Sequence, residues 1–468
     1  MPTCIIDGKQ AEFSPGENLI EVAKRVGIEI PYFCYHPALT VVAQCRMCAV
    51  EIEKMPKIQT ACSTEAREGM VVHTQSPKVK EARQSVMEFL LINHPLDCPI
   101  CDKSGECDLQ DFSYGYGSAY TRYTEERRTY LDLDMGPVIK KSMNRCIHCT
   151  RCIRFGDEVA KIREMVALQR GNSTEISTID GKPLETDYAG NYADICPTGS
   201  LTLRDFRFNK RVWMLKKTPT VCEGCSRGCN IELHWDQRTV YRTLPRENKE
   251  INGHWICDDG RFNFHYVHDE ARVREPRVKG SVTAWSRAVD DARRALAAAN
   301  NPLFLLGSDL TLEEVGAIRE FQKERAPKAK VLQFGTPGVL KAEDDADADA
   351  LLKRKSKTSN FHGLLKLGIE AVDRVEAASY DFILVFRGGR AQLPDLGAIP
   401  NVLIGVYRAD ELTTQSVVLP GTSFPEKSGT IVNFNGVACS KASAAMPAPS
   451  LPTPASLNTT SASGRASA

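Results

Sequence analysis

His94-Pro95-Leu96-Asp97-Cys98-Pro99-Ile100-Cys101-Asp102-Lys103-Ser104-Gly105-Glu106-Cys107-Asp108-Leu109-Gln110-Asp111 holds one imidazole and three thiols within 14 residues. Three cysteines this close can cap one face of an iron-sulfur cubane, with the histidine as a fourth ligand. A Cys3His zinc site is chemically as sound, and the residue types alone leave both open. In a cluster, exchanging thiolate for neutral His removes one negative charge, which raises the reduction potential when other influences are equal. Just upstream, Val79, Ala82, Val86, Phe89 and Leu90 share one helical face with Pro77 at the first turn, and Asn93-His94-Pro95 stops that helix. From Cys98 to about Arg211, loops rich in Gly, Asp and Cys separate only short helical stretches, such as 153–165. A region so poor in apolar runs needs another source of stability, and a bound cluster can supply it.

The same chemistry recurs on either side. Of 17 cysteines, 16 lie at or before Cys257 and only Cys439 lies beyond. In a protein that is not exported, such closely spaced cysteines are more often metal ligands than disulfides. The first group is Cys34, Cys45, Cys48 and Cys62, with gaps of ten, two and thirteen residues. Four thiolates from one loop and a return strand can enclose a [2Fe-2S] cluster, although the first gap is four residues in plant-type ferredoxins. The third group is Cys146-Ile147-His148-Cys149-Thr150-Arg151-Cys152, followed by Cys196-Pro197-Thr198-Gly199. This triad with a distant Cys-Pro is the bacterial ferredoxin pattern, but the fourth cysteine arrives 43 residues later, so spacing does not assign the set. The fourth group is Cys222, Cys225 and Cys229, with Cys257 after 27 residues.

The His94 to Asp111 run, together with Ile30-Pro31-Tyr32-Phe33-Cys34-Tyr35-His36-Pro37 and Cys45-Arg46-Met47-Cys48-Ala49-Val50-Glu51, resembles the large iron-sulfur subunit of respiratory NADH:quinone oxidoreductase, complex I, and its iron-only hydrogenase relatives. The resemblance implies a [2Fe-2S] cluster on Cys34, Cys45, Cys48 and Cys62. It implies [4Fe-4S] clusters on His94, Cys98, Cys101 and Cys107, and on Cys146, Cys149, Cys152 and Cys196. Cys222, Cys225, Cys229 and Cys257 resemble the N-terminal cluster of molybdopterin oxidoreductases and an extra [4Fe-4S] site in some bacterial complex I subunits. Many homologues lack that site, which implies a structural or off-pathway role. His36 reads as a loop or core residue and His148 as an outer-shell or exposed one. Cys4 reads as a small buried hydrophobe, and Cys439 carries no assigned role.

The first residues read as two short strands around Asp7-Gly8 (3–14), a helix at 18–26 and a strand at 47–53. Beyond the cysteines, strand-length apolar runs at 304–306, 330–334, 382–386, 402–407 and 417–419 alternate with helical segments at 284–299, 312–324 and 363–375, which predicts a parallel α/β sheet. The run from Val417 to Asn433 looks like the molybdopterin-type domain that follows the clusters in this family, here cut short. With no cysteine between Cys257 and Cys439, molybdenum is not expected, although Ser could serve as its ligand. The acidic 342–349 and basic 353–357 runs read as a solvated surface loop. The Ala, Ser, Pro and Thr-rich end reads as disordered.

The expected fold is therefore α+β and multidomain. It comprises a [2Fe-2S] ferredoxin-like β-grasp domain (1–78), a His-Cys [4Fe-4S] domain (79–118) and a ferredoxin-like [4Fe-4S] domain (119–214). A molybdopterin-oxidoreductase-type [4Fe-4S] domain (215–275), a truncated α/β scaffold (276–440) and a disordered tail (441–468) complete it.

With 60 Lys and Arg against 59 Asp and Glu there is no basic stripe to gather nucleic acid. No stretch reaches the 18 apolar residues of a membrane span, and Glu88 interrupts the best one, at 86–92. The N-terminus reads as a mature cytosolic start. No Gly-rich dinucleotide fingerprint is present, so NADH and flavin are expected on a partner chain.

The resemblance implies an electron-transfer subunit in the peripheral arm of proton-translocating complex I, on the cytoplasmic side of a bacterial membrane, with no complete active site and no catalytic residue of its own. It would meet the membrane only through the assembled complex. An electron-transfer subunit of an NAD-linked hydrogenase or formate dehydrogenase is the alternative reading, and a zinc-stabilised scaffold is the one without redox chemistry.

Overall fold

A computed structural model describes residues 1–376, 379–412 and 417–444. The chain divides into two compact units, one from Met1 to Met214 and one from Leu215 onward.

In the first unit, β1 (Thr3–Ile6) and β2 (Lys9–Glu12) form the hairpin expected at Asp7-Gly8. Both turn residues have positive φ, +45° and +79°, as a turn matched to the twist of its strands requires. Asn18 caps α1 (Leu19–Arg25) by accepting from the Ile20 and Glu21 amides. β3 (Ala49–Ile52), β4 (Gln59–Thr60) and β5 (Val71–His73) complete a sheet of order β2-β1-β5-β3-β4, with β1 and β5 parallel. Leu19 and Val22 of α1 pack with Ile6, Phe13, Val50 and Val72 beneath it. Cys4 lies in this core, where burial raises its thiol pKa.

Ser76 caps α2 (Pro77–Leu91), and Arg83 from this helix is fully buried, donating to the Ala49 carbonyl and lying over the Tyr116 ring of α3 (Asp108–Tyr116). β6 (Ile139–Lys141) precedes α4 (Arg151–Arg154). The helix expected at 153–165 is shorter: α4 runs on as a π-helical turn, Phe155–Ala160, and stops where Lys161 takes φ of +58°. Met165 instead opens β7 (Met165–Leu168), paired with β8 (Glu175–Thr178). A strand with Met165 buried and a helix share that apolar spacing, so periodicity could not separate them. α5 (Gly190–Ile195) leads to β9 (Leu201–Leu203), the antiparallel partner of β6.

The second unit opens with an antiparallel sheet, β10 (Lys216–Val221), β11 (Asn230–Asp236) and β12 (Thr239–Pro245), followed by α6 (Asp258–Arg261) and α7 (His265–His268). His234 on β11 is buried, with Nδ1 accepting from Arg242 Nε at 3.1 Å and Nε2 2.7 Å from Glu232. Nδ1 therefore holds no proton, and burial with the Arg242 charge pushes the imidazole down to about 4. Its folded pKa lies below the unfolded value of about 6.5, so its contribution to stability is complete above pH 6.5 and lost as pH falls toward 4. Thermal melts should show Tm falling across that window, and less steeply in His234→Gln; identical slopes would contradict this.

β13 (Arg277–Val278), β14 (Ser281–Val282), α8 (Trp285–Ala298), β15 (Pro302–Gly307), α9 (Leu312–Arg325), β16 (Lys330–Phe334), α10 (Phe361–Lys366), β17 (Phe382–Arg387), β18 (Asn401–Gly405) and β19 (Val417–Pro420) follow. Five of these strands form the expected parallel sheet, in the order β16-β15-β17-β18-β19, with β13 and β14 antiparallel at its edge. Along β15, Phe304 and Leu306 face one core and Leu303 and Leu305 the other, which is why the strand reads as an unbroken apolar run. A hairpin, β20 (Gly429–Val432) and β21 (Ala438–Lys441), ends the described chain.

Three expectations are corrected here. The helix at 363–375 ends at Lys366, because Gly368 turns with φ of +72° and the next residues bridge to β16 through Gln333. The runs at 342–357 are solvated only in part, with Glu343, Asp347, Lys355 and Lys357 exposed. Asp345 is buried, accepting from Ser226 and the Ser356 amide and pairing with His362, and Arg354 is buried over the Phe434 ring. Their charges satisfy one another locally, a pairing that composition does not reveal. Lys441, placed in a disordered tail by composition, lies in β21 and is buried. The remainder of that expected tail, from residue 445, lies outside the described residues.

Candidate metal centres

Cys34, Cys45 and Cys48 occupy the loop between α1 and β3, and Cys62 follows β4 in a single helical turn. Three of the four are about 1% exposed, so they converge inside the domain and not on its surface. The Cys62 thiol meets those of both Cys34 and Cys48, and Cys34 also meets Cys45, whose sulfur accepts from the Cys34 amide. Positive φ at Ala43 and Arg46 lets the loop wrap back on itself. The His36 ring accepts from the Ala38 amide, a loop role as expected.

His94, Cys98, Cys101 and Cys107 line one cavity of about 650 Å³. The end of α2 presents His94, a short turn carries Cys98, and Cys107 stands just before α3. The His94 Nδ1 is buried with no hydrogen-bond partner, and burial holds the imidazole down to about 4, hence neutral at physiological pH. A neutral imidazole with an orphaned ring nitrogen is the state a metal ligand requires. Cys107 is pushed up to about 11 by burial, so loading a metal here must displace a thiol proton. Asp97 is clamped by Arg145, Nε to Oδ2 at 3.1 Å, which fixes the backbone between His94 and Cys98.

Cys146, Cys149, Cys152 and Cys196 line a third, smaller cavity walled by Met165 and Ile176. His148 and Thr150 both take positive φ, turning the triad so that its thiols face inward, while Cys196 caps the C-terminus of α5. Burial raises Cys149 to about 11 and Cys146 to about 12. The His148 ring turns away to the Thr174 carbonyl, 3.0 Å from Nε2.

Cys222, Cys225, Cys229 and Cys257 line a fourth cavity, in the second unit. The first three fill the β10–β11 turn, where the Cys222 amide donates to the Cys229 carbonyl, and Cys257 caps α6. Lys353 and Lys357, expected in solvent, line it as well, and Lys353 pairs with Asp259 at 3.0 Å. Glu223, between two of the cysteines, is buried against Lys441 of β21. Cys439, given no role from sequence, is buried with Val221, Ile251 and Ile431 under the same turn.

Among the described residues, no three His, Cys, Asp or Glu side chains meet as the ligands of a single metal ion. Three of the four groups instead ring cavities, and the first brings its thiols together in a buried loop. The donor set, thiols plus one imidazole, suits iron-sulfur clusters.

Sequence reasoning missed the residues between the sites in the first unit. The loop from Cys196 to Gly199 passes between the third and second groups: Cys107 Sγ lies 3.7 Å from the Pro197 carbonyl oxygen, and a Cβ on Gly199 would lie 2.2 Å from Cys101 Sγ. Arg151 and Arg154 likewise reach from the third group to the first. Two arginines set among ligand cysteines were the available signal.

The sequence has counterparts among known proteins. Residues 3–77 match a 2Fe-2S iron-sulfur cluster binding domain, and 83–122 an NADH-ubiquinone oxidoreductase-G iron-sulfur binding region. Residues 136–202 match the ferredoxin-like domain of NADH-quinone oxidoreductase subunit 3, and 215–269 the molybdopterin oxidoreductase Fe4S4 domain. The G-type subunit of NADH-quinone oxidoreductase from Rickettsia bellii is 43% identical over 62% of this chain and 43% of its own length. The NADH-ubiquinone oxidoreductase 75 kDa subunit of Reclinomonas americana is 36% identical over 77% of this chain and 53% of its own. A chain of a solved NAD+-reducing [NiFe]-hydrogenase is 29% identical over 45% of this chain and 91% of its own, with a TM-score of 0.40. This chain spans about half the length of the curated relatives it matches.

Proposed function

Because this chain is homologous to the G-type and 75 kDa subunits of NADH-quinone oxidoreductases through its iron-sulfur regions, we propose that it is the electron-transfer subunit of a complex I. The reading takes the ligand sets expected from the sequence, with one [2Fe-2S] and three [4Fe-4S] clusters and no molybdenum. When bound, the clusters supply one-electron carriers between NADH and flavin on a partner subunit and quinone. The chain's own residues fix ligand identity, burial and spacing, which set the potentials.

The observation that carries this reading is the contact between ligand segments in the first unit. Arginines join the first site to the third, and the Cys196 to Gly199 loop joins the third to the second. That arrangement supports an electron route in the order first, third, second. The fourth site, in the other unit and held against the α/β scaffold, fits a structural role. Among the described residues no helix is long and apolar enough to cross a membrane. The reading places the chain peripherally, on the cytoplasmic side of the assembled bacterial complex.

The test is anaerobic isolation of the native assembly, with iron, acid-labile sulfide, zinc and molybdenum measured per copy after partner subunits are subtracted. The expected result is about 14 irons and 14 sulfides, with molybdenum absent. About four zinc atoms with little iron would mean that the spacing marks zinc sites, and the redox function would fall.

A further inference from the structure

Arg154 belongs to none of the four ligand sets, yet it is buried, 7% exposed, between two of them. Its Nη1 donates to the Thr40 carbonyl at 2.5 Å. Its Nη2 donates to the carbonyls of Cys34, in the first group, and of Cys149, in the third, the latter at 3.3 Å. One nitrogen thus ties the backbone of a ligand residue in one site to that of a ligand residue in the next. Arg151 runs parallel to it, donating to the carbonyls of Tyr35, beside Cys34, and Ile195, beside Cys196.

The two arginines differ in their counter-charges. Arg151 has Asp108 within 3.9 Å, whereas no carboxylate forms an ion pair with Arg154 among the described residues, and Glu158 acts on it only at longer range. A guanidinium stays protonated in proteins, and a buried cation without a counter-charge is strongly destabilising. Besides the more distant Glu158, the anionic groups beside it are the two thiolate-held cores on either side. Reducing either core adds one negative charge near this cation, which favours the reduced state.

We propose that Arg154 is a positioning residue that couples the first and third sites, fixing their ligand backbones to each other while its charge raises the reduction potential of both. This rests on the cluster assignment above. The experiment is an EPR-monitored redox titration of the assembled complex carrying Arg154→Gln or Arg154→Lys. In Arg154→Gln both the [2Fe-2S] signal and the third-site [4Fe-4S] signal should become about tenfold harder to reduce, equivalent to about 59 mV for a one-electron couple. The second-site signal should hold its potential.

Arg154→Lys retains the charge and should keep both potentials within about threefold of wild type. The inference is overturned if Arg154→Gln leaves both potentials unchanged, if only one moves, or if Lys behaves as Gln. Should Arg154→Gln fail to load iron, Arg154→Lys decides: loading with near-wild-type potentials supports the charge role, and failure to load rejects it. A wild-type complex without iron would defeat the cluster assignment itself. An iron-loaded wild type whose variants are unshifted defeats only the coupling.

Discussion

Cys146→Ala is expected to abolish the third-site cluster signal and bring NADH:quinone turnover of the assembled complex to background, and Cys107→Ala should do the same through the second site. Each removes one of the four donors of its group. The His148 ring is turned to the Thr174 carbonyl, and Cys107 Sγ lies 3.7 Å from the Pro197 carbonyl oxygen. Because these sites lie in series on the proposed route, losing either one interrupts the current and does not merely slow it. Cys229→Ala is the control: it should erase the fourth signal while turnover stays at half the wild-type value or more. EPR of the reduced complex, read beside turnover, separates these outcomes. If Cys107→Ala or Cys146→Ala left both turnover and all cluster signals unchanged, the proposed wiring would be wrong.

The second large effect belongs to a residue with no donor atom. Gly199→Val should empty the second site and destabilise the first unit by about 1–3 kcal/mol, the range for overpacking a close-packed interior. Gly199 does not have positive φ, so its conformation would accept any side chain. The obstacle is space, since a Cβ there falls 2.2 Å from Cys101 Sγ and 3.4 Å from the Arg145 Cδ. Cys101 is too short to swing clear and remain a ligand. About four irons should be lost per chain, with the [2Fe-2S] signal retained. A variant that keeps its full iron and melts with the wild type would show that the loop can yield.

The contrast between Cys101 and Gly199 shows what could be read from the sequence and what could not. Closely spaced cysteines announce candidate ligands by type, while the distant members, Cys62, Cys196 and Cys257, were joined to their groups by the resemblance. The alternation of β15 to β19 with helices was visible as well, because strands covered on both faces are apolar throughout. What stayed hidden depends on residues far apart in the chain. Gly199 matters only because the fold brings it to Cys101. Arg154 matters because the fold brings it to carbonyl partners more than 100 residues upstream. The buried charges within the runs at 342–357 stayed hidden for the same reason. Their composition fits a surface loop, whereas Asp345 finds Ser226 across 119 residues and Lys353 finds Asp259.

The burial of Glu223 against Lys441 has a consequence for the order in which the protein is made. The first three ligand sets are complete once Cys196 has been synthesised, but the shell of the fourth awaits β21. At about 5–20 residues per second, the roughly 240 residues between Gly199 and Lys441 take on the order of 12–50 s to translate. The first unit can therefore receive its metal while the ribosome is still at work. The fourth site cannot be sealed until the hairpin is released, which makes it the last of the four sites to be finished.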